Sequence, residues 1–301
     1  MFKHILVPLD GSQLAESVLP MTIEICKKMD AEITLLHIIE KDAPQEIHGQ
    51  HHLTNEQEAC TYLDKIAERW FPEISNLHEH VHSEEVSRVA QSIVQHSAEF
   101  SPDLIILSAH GEGGLRDIVA GGIAQQVIAN GQVPVLLIQP GESGGVEFNG
   151  FKKLLVPLDG DEEHEQALET AIEMGSAFQA ELHLVRVVPT YSTLSGTQAA
   201  AGTLMPSAAS AFLEMEEDEV IEYLGEKVAW VEKNKVQCSA EVRRGDPAAE
   251  VVKSAQEFHV DLILLGTHGK AGMTAFWAGS TAPRIVGKTT LPILLLPVRS
   301  R

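Results

Sequence analysis

One stretch of this chain occurs twice, and the repetition limits its fold more than any other feature. His4-Ile5-Leu6-Val7-Pro8-Leu9-Asp10-Gly11 returns as Lys153-Leu154-Leu155-Val156-Pro157-Leu158-Asp159-Gly160, at an offset of 149. Ala31-Glu32-Ile33-Thr34-Leu35-Leu36-His37-Ile38 returns at the same offset as Ala180-Glu181-Leu182-His183-Leu184-Val185-Arg186-Val187. Further along, Asp103-Leu104-Ile105-Ile106-Leu107 matches Asp261-Leu262-Ile263-Leu264-Leu265, and Val133-Pro134-Val135-Leu136-Leu137 matches Leu291-Pro292-Ile293-Leu294-Leu295, now at an offset of 158. The second copy therefore carries nine extra residues between its second and fourth strands. In a chain of 301 residues this predicts two domains of one kind, over 1–140 and 151–299. Gly141-Glu142-Ser143-Gly144-Gly145 lies between them, and its Gly and Ser suit a flexible joint.

Within each copy, apolar runs alternate with amphipathic stretches. Ile5–Leu9, Ile33–Ile39, Leu104–Leu107 and Val135–Ile138 are short and almost continuously apolar. Strands of that kind are buried on both faces, in a parallel sheet covered by helices. The alternation gives an α/β class: two doubly wound, Rossmann-like domains, each built on a parallel sheet. Ser12 and Asp161 are the cap candidates for the first helix of each copy, and Pro20 should bend the first of these. The extra residues fall near Tyr191 to Ala211, rich in Ser, Thr, Ala and Gly, and read as a surface loop; a lid over a ligand is the alternative.

A net charge of -21 argues against binding along DNA or RNA, and against docking on an anionic membrane. No apolar run reaches transmembrane length. Cys26, Cys60 and Cys238 are scattered and odd in number, as reduced cytoplasmic thiols would be. The opening residues, with Ile5-Leu6-Val7-Pro8, read as a first strand and not as a signal peptide.

In an open parallel sheet, ligands sit at the carboxyl ends of the strands. The fourth strand of the second copy runs through Leu265 into Gly266-Thr267-His268-Gly269, then nine residues from Lys270 to Ala278, then Gly279-Ser280 and a helix beginning near Thr281. The pattern is G-x2-G-x9-G-S. Gly266 and Gly269 allow backbone to approach an anion with no Cβ in the way. Gly279 and Ser280 offer amides and a hydroxyl at a helix start, where phosphate is favoured.

With this motif and the tandem V-P-L-D strand ends, the chain resembles the universal stress protein family over nearly its whole length. The resemblance implies a strand order of 3-2-1-4-5 in five-stranded sheets, with pairing through the fifth strands. That pairing predicts an intramolecular pseudo-dimer through Val133–Ile138 and Leu291–Leu296, and association of two chains into four modules. In the ATP-binding branch of the family the same spacing holds ribose and phosphates. The implied cofactors are ATP, or another adenine nucleotide, and Mg2+. Asp159, after Pro157 and Leu158, would lie near the adenosine and the metal, and Val187 would present backbone groups to adenine. Leu265, Gly266, His268, Gly269, Lys270, Gly279, Ser280 and Thr281 would complete the nucleotide site.

The first copy departs from the pattern. Its loop reads Ser108-Ala109-His110-Gly111, then Glu112 to Ala120, then Gly121-Gly122. Ser108 replaces the first glycine, Gly122 replaces the hydroxyl residue, and Glu112 stands where the second copy has Lys270. Gly245-Asp246-Pro247 precedes the third helix of the second copy, against Ser87-Arg88-Val89 in the first. The expectation is a weakened second site over Asp10, Ile38, His110, Gly111, Gly121 and Gly122.

Other features weigh less. Gly287-Lys288-Thr289 resembles a P-loop ending, but Ala282 stands where its first glycine belongs, and Gly287 reads as a helix C-cap. His78, His80 and His82 share one face of a strand, successive pairs about 6.8 Å apart, a spacing able to bind zinc. A solvated edge strand is the alternative. His48, His51 and His52 form a second cluster. The acidic run around Glu214, Glu216, Glu217, Asp218 and Glu219 reads as a solvated helix face. No catalytic triad, carboxylate pair or C-x-x-C stands out. Three functions remain: a regulatory protein holding ATP with little or no hydrolysis, a slow ATPase or other nucleotide-dependent enzyme, and a ligand-free assembly module.

Overall fold

The computed structural model describes residues 2–44, 46–47, 49–109, 122–139, 148–161, 165–190, 193, 206–267 and 281–297, with backbone alone at 47 and 206–212. The linker at 141–145 and most of the 191–211 segment lie outside this set. Two compact units form, one from Met1–Gly150 with Leu291–Pro297, the other from Phe151–His268 with Gly279–Thr290.

The first unit runs β1 (His4–Pro8), α1 (Gln13–Glu16), α2 (Leu19–Met29), β2 (Glu32–Glu40), a small hairpin of β3 (Glu46–Ile47) and β4 (Gln50–His51), α3 (Glu56–Trp70), β5 (Leu77–Val86), α4 (Val89–Phe100), β6 (Leu104–Ser108), α5 (Ile123–Asn130) and β7 (Val135–Ile138). Its strands lie in the order β5-β2-β1-β6-β7, the expected 3-2-1-4-5, and pair in parallel. Register follows the apolar pattern: Ile5 pairs with Ile33 and Leu104, and Ile106 with Leu136. Ile5, Leu6, Val7, Ile33, Leu35 and Ile105 are wholly buried, which is why these strands read as unbroken apolar runs. A sixth strand, β12 (Ile293–Pro297), joins β7 antiparallel, Leu294 opposite Leu136. By sequence β12 is the fifth strand of the second repeat. It saturates the hydrogen-bonding edge that β7 would otherwise present.

The second unit runs β8 (Lys153–Pro157), α6 (Gln166–Phe178), β9 (Glu181–Val188), α7 (Pro206–Lys233), β10 (Cys238–Arg244), α8 (Pro247–Glu257), β11 (Leu262–Thr267) and α9 (Thr281–Val286). Its parallel strands repeat the order as β10-β9-β8-β11. Ala167, Leu168, Ala171, Ile172 and Met174 form the buried face of α6.

Three local details differ from the sequence reading. Ser12 does cap α1, its Oγ accepting from the Ala15 amide at 3.1 Å, but Pro20 breaks the segment instead of bending it. It sits in the first turn of α2, where its missing N–H leaves no bond unmade. Asp161 does not cap α6, which starts five residues later; its amide donates to Asp159 Oδ1 at 3.0 Å in a local turn. The expected loop at Tyr191 to Ala211 is helical from Pro206 onward, because Pro at a helix start is preorganised for it. Among the described residues no helix is long and apolar enough to cross a membrane.

Candidate functional site

The second unit brings Pro157, Leu158 and Asp159, Val187, and Leu265 with Gly266 to the carboxyl ends of β8, β9 and β11, with Thr281 opening α9. Leu158 and Leu265 are buried and anchor the rim from below. The amide of Leu158 donates to Val185 at 2.9 Å, carrying the β8–β9 pairing one residue past the strand. Asp159 then leaves the sheet, fixed by the Asp161 amide, and Gly160 turns the chain at φ +82°. His268, Gly269, Lys270, Gly279 and Ser280 lie outside the described residues.

Around this turn stands a set of groups that the sequence did not announce. Arg186, one residue before Val187, reaches the turn so closely that a Cβ on Gly160 would meet its Nη1 at 2.0 Å. The guanidinium lies over the Tyr223 ring at 5.4 Å, and Lys227 Nζ stands 5.1 Å from the same ring. Tyr223 donates to Glu165 Oε1 at 3.0 Å, and Lys227 pairs with the same oxygen at 2.7 Å. Burial first, then Glu165, pushes the Tyr223 phenol up, so it stays protonated and donating. Arg186 and Lys227 thus both lie against Tyr223, and Arg186 borders the Gly160 turn.

The equivalent of Arg186 in the first unit is His37, and its contact is a different one. Its Nδ1–H donates to the Leu9 carbonyl at 2.8 Å, tying β2 to the end of β1. Burial holds its pKa below the usual histidine range. A cation-capable residue one place before Ile38 and before Val187 was the available signal in the sequence. What it touches depends on the chain opposite.

At the start of α8, Gly245 (φ +147°) donates to Val188 at 3.1 Å, and Asp246 caps the helix through the Ala249 amide at 3.0 Å. Arg284 of α9 pairs with Asp246 at 2.6 Å and holds that carboxyl below its usual range. The third and fourth crossovers of the second unit are thereby latched beside the strand ends. In the first unit Arg88 holds the capping position with no side-chain cap. Gly287 follows α9 and donates to Pro283 at 2.9 Å, a helix ending as read.

The first unit carries a cavity of about 150 Å³ at the same end of its sheet. Asp10, Ile38 and Gly122 line it, joined by Leu9, Ile93 and Ile123. Its walls are mainly aliphatic, with His52 closing one side from the segment after β4. His110, Gly111 and Gly121 lie outside the described residues.

The histidine readings change. His78 is exposed on β5 and stands apart, whereas His80 and His82 converge with His96 of α4, their ligand atoms within 4.8 Å of one another. His78 therefore gives way to His96, whose ring on α4 meets those of His80 and His82 at centroid distances of 4.8 and 5.0 Å. Of the second cluster, His51 is exposed and pairs with Glu58 at 3.4 Å, while His52 is buried at the cavity; His48 lies outside the described residues.

Set beside known proteins, the chain matches the model of the Universal stress protein family twice, over residues 1–139 and 150–297. A universal stress protein of Methanocaldococcus jannaschii, MJ0531, is 31% identical over 150 residues, covering 46% of this chain and 83% of that protein. One from Mycolicibacterium smegmatis is 22% identical over 304 residues, 98% of this chain and 97% of its own length. The crystal structure of a universal stress protein from Archaeoglobus fulgidus superposes with a TM-score of 0.62 at 19% identity, covering 98% of this chain and 96% of that one, a likeness of fold.

Proposed function

The chain belongs to the universal stress protein family, and from that premise we propose that its second domain binds ATP, with Mg2+, as a regulatory ligand in the cytoplasm. The observation that carries the reading is the G-x2-G-x9-G-S run from Gly266 to Ser280, which leaves the carboxyl end of β11 and returns at Thr281. Glycines there permit close backbone approach to phosphates, and Ser280 supplies a hydroxyl. Asp159, held at the end of β8, provides one carboxylate, which suits Mg2+ shared with nucleotide phosphates. Mg2+ would supply charge neutralisation of those phosphates. Val187 sits at the end of β9, where the family places adenine. Arg186 and Lys227 add positive charge in an otherwise acidic chain.

The first domain has lost the same set: Ser108 for glycine, Gly122 for the hydroxyl, and aliphatic walls around Asp10. We read it as a weakened site. The antiparallel pairing of β7 with β12 supports fifth strands as the intramolecular contact of a pseudo-dimer.

Calorimetric titration of the full chain with ATP and Mg2+ tests the proposal. Ser280→Ala removes a hydrogen bond to a charged group, worth about 1.5–3 kcal/mol, so affinity falls about tenfold or more. Gly269→Val abolishes binding and Gly111→Val leaves it. Loss from Gly111→Val with none from Gly269→Val would reverse the assignment. Turnover is slow or absent, since phosphate contacts alone stabilise the ground state and none of the described residues is placed to position water for in-line attack. Phosphate release at about 1 per second or faster, lost in Asp159→Asn, would make the protein an enzyme.

A further inference from the structure

We infer that His80, His82 and His96 form a binding site for a divalent transition metal, with Zn2+ the ion it suits, on the edge of the first domain. Independently of the nucleotide reading, it rests on how α4 packs against β5. His80 and His82 are two residues apart on β5 and so project from one face. The helix that crosses that face supplies His96, which is buried.

One donor pair already stands at the separation of metal ligands. His82 Nδ1 and His96 Nε2 are 3.1 Å apart. Two imidazole nitrogens bound to one tetrahedral zinc at its usual bond length stand about 3.3 Å apart. The third ring, His80, packs edge-on to His96 with centroids 4.8 Å apart, and the three donor atoms lie within 4.8 Å of one another. A small rotation of each ring brings them to a common point.

A second shell is already in place. His96 Nδ1–H donates to Glu99 Oε2 at 3.1 Å, one helical turn on. That bond fixes the tautomer, leaving the Nε2 lone pair directed at His82. Carboxylate–imidazole–metal relays are built in this way. Phe100 walls the site, stacked on His96 at 5.3 Å and edge-on to His80 at 4.9 Å. In the metal-free protein His82 Nδ1–H donates to His96 Nε2; on metal binding His82 carries its proton on Nε2 instead, and its Nδ1 lone pair is free for Zn2+. Three nitrogen donors leave the fourth tetrahedral position to water or to a ligand from outside.

The experiment uses the full chain without an affinity tag, stripped with EDTA and dialysed in metal-free buffer after loading with Zn2+ or Co2+. The expected result is one retained equivalent, with Co2+ giving the intense visible d–d bands of tetrahedral coordination. His82→Gln and His96→Gln lose both; His78→Gln and His51→Gln keep both. Glu99→Gln lowers affinity about 10–100-fold, as removal of a second-shell partner does. Circular dichroism confirms that each variant is folded, and the Co2+ spectrum of the unaltered chain stands without any variant. Failure of the unaltered chain to retain an equivalent, or its retention in both His82→Gln and His96→Gln, would overturn the inference.

Discussion

Gly160 and Arg186 occupy each other's space: a single carbon added to the glycine would fall 2.0 Å from the guanidinium Nη1. The backbone is also left-handed there, at φ +82°. Gly160→Ala therefore meets two penalties. The backbone term costs about 1–2 kcal/mol, and Arg186, being flexible, moves off the Tyr223 ring. Denaturant titration should show the lower midpoint, and Tyr223 fluorescence should change with it. An alanine variant as stable as the parent would show that this turn tolerates a side chain.

The two domains rest on different helix caps, and the difference is measurable. Ser12 is wholly buried, so Ser12→Ala leaves the Ala15 amide without its acceptor and costs about 1–2 kcal/mol. Asp246→Ala loses a cap of about 1 kcal/mol, and its pair with the half-exposed Arg284 adds little to that. Urea unfolding of both variants should rank Ser12→Ala as equally or more damaging. The opposite order, by a clear margin, would mean that the Asp246–Arg284 latch matters more than the cap.

Acid should weaken the fold through buried imidazoles. Burial lowers the pKa of His37 and of His183, which lies stacked on Phe258 at 3.6 Å. In the unfolded chain each takes up a proton near its ordinary value of 6.5, whereas the folded chain resists. The unfolded state thus binds more protons as pH falls, and stability that is complete above that value declines below it. His37→Asn keeps a donor for the Leu9 carbonyl but cannot titrate. Melting temperatures between pH 7 and 5 should fall less steeply in this variant; an unchanged slope would clear His37 of the effect.

Much of this could be read from the chain beforehand, for a physical reason. The repeat, the buried strands and the glycine motif are local patterns: apolar runs such as Leu262–Leu265 declare burial on both faces, and glycine spacing declares where backbone must come close. Strand order came from likeness to a family. What stayed hidden depends on side chains far apart in sequence. His96 joins His82 across 14 residues, only because α4 packs on β5. Arg186 is an ordinary polar residue at a strand end until Gly160 is placed beneath it. The helix over Pro206–Lys233 begins in Ser- and Ala-rich sequence that carries no apolar stripe of its own.

The antiparallel seating of β12 on β7 has a consequence for the order in which the protein comes into being. Translation delivers residues 135–138 long before residues 293–297. During the interval the main sheet of the nascent first domain has five strands and an unsaturated outer edge of apolar residues, a template for any strand nearby. Its maturation waits on the second repeat being synthesised almost to its last strand. The two repeats therefore share one completion event, and a ribosome that stalls midway leaves the β7 edge open.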